Sequence, residues 1–125
     1  FKYDFERAVD KYKSIHKYYT VSWRDKKTYI EFGDILYIEG YNRHLYIRTE
    51  THKYECVGSI RKEEKTFIPY GLLKCHQGFI VNINKIRNIE CNEIEMINGE
   101  KIHVSRHYRD NIMTAFNLYM AGKLL

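Results

Sequence analysis

Three stretches of this 125-residue chain place side chains with chemical or recognition potential next to one another. In Cys75-His76-Gln77-Gly78 a thiol adjoins an imidazole, the two groups a nucleophile and its base would require. Neighbours on a strand point to opposite faces, which argues against that pairing and against catalysis there. The remaining members suit recognition instead. Gln77 presents a donor and an acceptor on one planar amide, matching an adenine edge, and Gly78 allows a tight turn or close approach to a phosphate. The second stretch, Ser105-Arg106-His107-Tyr108-Arg109, puts cations at a strand-to-helix junction. Free N–H groups and the positive end of the dipole favour an anion at a helix start, and cations there are slightly unfavourable without one. The third, Tyr41-Asn42-Arg43-His44, is a turn between two strands. Arg and Asn have the bidentate geometry that suits guanine and adenine.

Other chemistries lack their patterns. The six His and three Cys contain no CxxC or HxxxH spacing on one element, since His103 and His107 straddle a strand and a helix. There is no glycine-rich phosphate loop, no Walker pattern and no deaminase signature. The expectation is a chain with no enzyme activity, no metal and no cofactor.

These stretches need a scaffold. Phe1, Phe5, Ala8, Val9, Tyr12 and Ile15 recur at helical spacing, predicting an amphipathic N-terminal helix of about four turns. From Tyr18 the period becomes two. A hairpin is predicted from Tyr19-to-Trp23 and Thr28-to-Phe32 around a turn at residues 24–27, then strands over 34–39, 45–49 and 52–57. Ser59 caps a short helix, and Pro69 and Gly71 mark a loop. Strands over 72–75 and 79–83 flank Cys75–Gly78, and residues 85–90 lead to a last hairpin. In it Asn98-Gly99 supplies a type I′ turn between 93–97 and 101–104. Ser105 is the expected N-cap of a C-terminal helix that Gly122 ends.

Composition is compatible with one mainly β domain. Hydrophobic residues are 44% and Tyr numbers 12, with 7 Gly and 1 Pro; Tyr favours pleated surfaces. The net charge of +5 is spread along the chain, so a basic face must be assembled by folding. Three cysteines without paired spacing fit reduced thiols, and no apolar run approaches the ~20 residues of a membrane span. Neither is a signal peptide visible, so the expected location is the cytoplasm.

Three segments, in order, resemble the LytTR (LytR/AlgR-type) DNA-binding domain of bacterial response regulators over roughly residues 19–112. They are Asp34-Ile35-Leu36-Tyr37-Ile38-Glu39, Leu73 to Asn82, and Asn98-Gly99 with Ile102-His103-Val104-Ser105-Arg106. The resemblance implies an elongated stack of mostly antiparallel sheets with one short internal and one C-terminal helix. It also implies a transcriptional regulator whose loops, rather than a recognition helix, enter successive major grooves. Carried over by position, base contacts fall to Arg43, His44, Gln77, Arg106 and His107. Phosphate contacts fall to Asn42, Lys74, His76, Lys85 and Arg109. Gln77 and Gly78 stand where the family commonly has Arg or Asn followed by Ser. The implied partners are double-stranded promoter DNA, as direct repeats, and a second copy of the chain. Residues 1–18 would be a linker, or the last helix of an upstream receiver domain absent from this chain, with 19–125 the DNA-binding domain. The other reading of the tyrosines and the first helix is a protein-interaction or dimerisation module.

Overall fold

Ile35-Leu36-Tyr37-Ile38 is an apolar run without alternation, as expected of a strand covered on both faces. In the computed structural model, which describes residues 18–122, that strand is β3 (Ile35–Tyr41), at the middle of a five-stranded sheet. The sheet also contains β4 (His44–Thr49), β5 (Lys53–Val57), β6 (Leu72–His76) and β7 (Phe79–Asn82). Its order is β5-β4-β3-β7-β6 and every pairing is antiparallel. A bulge between Ile35 and Tyr37 breaks the strict alternation. Ile35 and Ile38 therefore enter one apolar core, while Leu36 and Tyr37 enter the other.

The first core is roofed by the hairpin of β1 (Tyr18–Trp23) and β2 (Lys26–Glu31), which supplies Val21 and Ile30. Helix α1 (Ile60–Phe67) adds Ile60 and Phe67 to it. Its Ser59 cap is as expected, the side chain accepting from the Lys62 amide at 3.3 Å. The second core lies under a three-stranded sheet of β8 (Ile86–Glu90), β9 (Glu93–Met96) and β10 (Lys101–His103), in the order β10-β9-β8. Helix α2 (Arg106–Met120) covers the rest with Ile112 and Ala115 and ends at Gly122, whose φ is 74°. The result is the mainly β, antiparallel stack with one short internal and one C-terminal helix. The expected N-terminal helix falls outside the described residues.

The turns distribute backbone strain differently from the sequence expectation. Asn98 has no positive φ; Gly99 alone takes φ 91°, with its amide donating to Met96 O at 2.9 Å and the Met96 amide to Glu100 O at 2.8 Å. That is a three-residue loop with the glycine in the left-handed position, not a type I′ pair. Positive φ at both central residues occurs instead at Arg24-Asp25 (50° and 63°) and Asn42-Arg43 (52° and 64°). These two tight turns close the β1–β2 and β3–β4 hairpins, where Trp23 pairs with Lys26 and Tyr41 with His44. The strain of left-handed non-glycine residues is accepted there because both strand pairs run in register to the last residue.

Candidate nucleic-acid interface

The strand directions sort the connections into two ends. The turns at 24–25, 42–43, 77–78 and 91–92, together with the β10–α2 junction, lie at one end, called upper. The β4–β5 turn, the 3₁₀ turns at Phe32–Asp34 and Ile83–Lys85, and the 97–100 loop lie at the lower end.

Backbone hydrogen bonds join three of the upper connections. The Gly40 amide donates to Gly78 O at 2.8 Å, tying the β6–β7 turn to the end of β3. The Ser105 amide donates to Cys75 O at 2.9 Å, tying the start of α2 to the end of β6. Asn42-Arg43, Gln77 and Arg106-His107 thus stand in a row across the upper end, and all five side chains are exposed. Gly40 is required by the packing below this row, since a Cβ there would lie 2.6 Å from Ile60 Cγ1 in the first core. The Arg43 carbonyl accepts from the Gly58 amide at 3.0 Å, so the first turn is also fixed on its outer side.

The other sequence candidates fall into three groups. His76 lies at the row: its Nδ1 accepts from the Gly78 amide at 3.2 Å, which leaves Nε2 as the protonated nitrogen of the neutral ring and a free donor. Its ring meets His103 edge-on at 5.6 Å. Lys74 rests its ammonium 5.4 Å from the Tyr108 ring centroid beside the start of α2, and Arg109 is exposed on the same helix. His44 is at the upper end but engaged within the fold, its ring edge-on to Trp23 at 5.4 Å and Nδ1 3.7 Å from Glu55 Oε2. Lys85 stands apart, at the lower end, with Nζ 3.9 Å from Glu50 Oε1. Adjacency to a strand did not reveal at which end of the sheet Lys85 would emerge.

Cys75 is fully buried beneath the row, with Sγ 3.8 Å from Phe79 O and 3.9 Å from His103 O. Burial pushes its thiol up to about 12, so it stays protonated at neutral pH and is a poor nucleophile. Sequence reasoning missed two features. Ser105 occupies the N-cap position of α2, yet its hydroxyl makes no capping bond and is buried without a partner. The Arg24-Asp25 hairpin also reaches the upper end, with the Arg24 guanidinium 5.4 Å over the Trp23 ring. Among the described residues, Arg24, Lys26, Lys27, Arg43, Arg106 and Arg109 form no ion pair, so their charges at this end are not neutralised internally. No group of three or more His, Cys, Asp or Glu among those residues could hold a metal ion, and no helix there is long and apolar enough to cross a membrane.

The family model for the LytTr DNA-binding domain matches residues 25–117. A solved structure described as the LytTr DNA-binding domain of a methyl-accepting/DNA response regulator from Bacillus cereus superposes with a TM-score of 0.69. It shares 24% identity, and the match covers 78% of this chain and 94% of that one, a likeness of fold. No curated protein matches the chain.

Proposed function

The chain belongs to the LytTR family of DNA-binding domains, and on that premise we propose that it binds double-stranded promoter DNA sequence-specifically through its upper end. The observation that carries this reading is the pair of backbone bonds, Gly40 N–H to Gly78 O at 2.8 Å and Ser105 N–H to Cys75 O at 2.9 Å. They hold three connections from distant parts of the chain in one exposed row. The side chains along it have the donor geometry of base readers: Arg43 and Arg106 for guanine, Gln77 for adenine.

Each part of the row has its own role. Arg43, Gln77, Arg106 and His107 enter successive major grooves as loop tips and reach base edges. His44, held by Trp23 and Glu55, supports the first loop from behind. Asn42, His76, Lys74 and Arg109 meet phosphates and set register. The free amides of Arg106 and His107 at the start of α2 suit a phosphate oxygen. Lys85, paired with Glu50 at the lower end, is outside this contact set.

In this reading the chain is the output part of a bacterial response regulator acting in the cytoplasm. Two copies occupy direct repeats, and an upstream receiver domain controls their assembly. Selection of bound duplexes from random DNA, followed by a salt titration of the winner, tests the proposal. Enrichment of one motif and a loss of affinity of several orders of magnitude between ~50 and ~200 mM salt are expected. No enrichment, or salt-insensitive binding, would overturn it.

A further inference from the structure

The row of connections does not stop at Asn42-Arg43. The junction that carries Arg106 packs on the second core, on one face of the central sheet, whereas the β1–β2 hairpin packs on the first core, on the opposite face. The hairpin turn reaches the upper end and continues the row beyond the β3–β4 turn. It carries Arg24, Lys26 and Lys27, all exposed, with Asp25 as the one acid in the turn. None of the three cations forms an ion pair among the described residues.

The hairpin tip is also fixed relative to the first loop. Arg24 lies over the Trp23 ring with 5.4 Å to its centroid, and Trp23 meets the His44 ring edge-on at 5.4 Å. His44 pairs with Tyr41 across the Asn42-Arg43 turn and with Val57 on its other side. A guanidinium and two rings therefore run from the hairpin tip to His44, which flanks the first candidate base-reading loop. Both turns they connect have positive φ at their two central residues, so both present their side chains from tight two-residue turns.

We infer that the Arg24-Asp25-Lys26-Lys27 hairpin is a fourth DNA-contacting element, which grips the phosphate backbone beyond the first base-reading loop, with Trp23 as its positioning residue. The inference rests on the upper-end reading of DNA binding. Of the three exposed cations at the tip, two are ammonium groups without the planar fork that reads a base edge, which suits phosphates rather than bases. Stacked sheet layers are spaced about 10 Å apart. At about 3.4 Å per base pair, the contact extends the footprint by about three base pairs.

The test uses the full chain, a duplex selected by the wild-type protein, and the variant R24Q/K26Q/K27Q, which keeps much of the side-chain bulk and removes the charge. The expected result is a log K against log salt slope shallower by about 2 to 3 and a loss of about 10- to 100-fold in affinity near physiological salt, with the same preferred motif. Trimming about three base pairs from the hairpin side should weaken the wild type and leave the variant unchanged. Trp23→Phe should soften the effect of trimming while the three charges remain. An unchanged slope and an unchanged response to trimming in a variant that still binds would overturn the hairpin's role alone. Failure of the wild type to bind any duplex would overturn the DNA-binding reading itself, and this inference with it. Loss of the motif in the variant would also overturn it, by making the hairpin a base reader.

Discussion

The two ends of the molecule solve opposite problems with similar residues. At the lower end most polar groups are spent on one another, although Asn84 Oδ1 is buried without a partner. Asn82 is fully buried and donates to Ile35 O at 2.8 Å and Phe32 O at 3.3 Å, while its Oδ1 accepts from the Asn84 amide at 3.0 Å. Glu100 accepts from Tyr37 at 2.8 Å and from Arg48 at 3.0 Å, linking the three-stranded sheet to the five-stranded one. At the upper end the backbone does the joining, through Gly40, Gly78, Cys75 and Ser105, and among the described residues the arginines of the row and the cations of the β1–β2 turn are left without carboxylate partners. A stable scaffold satisfies its charges internally, and a binding surface keeps them for a partner. The difference separates stability from binding by position, so substitutions at one end should leave the other property intact.

The largest effect is expected from Asn82→Ala, which strips partners from two buried carbonyls and one amide. Urea unfolding should show a loss of about 2–4 kcal/mol. DNA affinity should stay at the wild-type value wherever the variant is folded. A large change in affinity with little change in stability would break the division of labour. Next comes Arg106→Ala, expected to weaken specific binding by about 1–3 kcal/mol in a fluorescence anisotropy titration, with an unfolding midpoint like the wild type's.

The third prediction concerns acid. Burial alone would raise the Glu100 carboxyl, but hydrogen bonds from Tyr37, Arg48 and Asn98, together with the Arg48 charge, bring it below the ordinary carboxylate range. A carboxyl lowered by folding adds stability that is present above its unfolded pKa and lost as pH falls through its folded one. Glu100→Gln should therefore be destabilising at neutral pH, and its deficit should shrink as pH drops below about 4. A deficit that holds constant or grows with acid would contradict the link. The smallest effect is expected from Lys85→Ala. Its ammonium pairs with Glu50 away from the row, so binding should change by less than about 0.5 kcal/mol. A loss comparable to that of Arg106→Ala would place DNA at both ends.

Much of the architecture was legible because local signals agreed with it. Ser59 begins α1, Gly122 closes α2, and period-two segments became strands within a residue or two of their expected bounds. The grouping of Tyr41–His44, Cys75–Gly78 and Ser105–Arg109 could be suspected from residue type, whereas their meeting is a product of strand direction and of two long-range backbone bonds. The misreadings share a cause. Asn98-Gly99 carries the type I′ dipeptide, but the loop is three residues long and only Gly99 is left-handed. Arg24-Asp25 has no such signature and adopts that pattern because its strands pair to the end. The local sequence also does not show that the course of β7 puts Lys85 at the lower end, or that Trp23 and Glu55 lie against a His44 that stays partly exposed. Pairing and packing partners from distant sequence decided these cases, overriding the local dipeptide.

The claim that DNA lies against the upper end is tested most directly by an NMR titration of the 15N-labelled chain with its selected duplex. Amide shifts are predicted to concentrate at residues 42–43, 76–78 and 105–109, with those at 50–52, 83–85 and 97–100 unmoved. Shifts centred on the lower end, or spread evenly over both, would contradict the account.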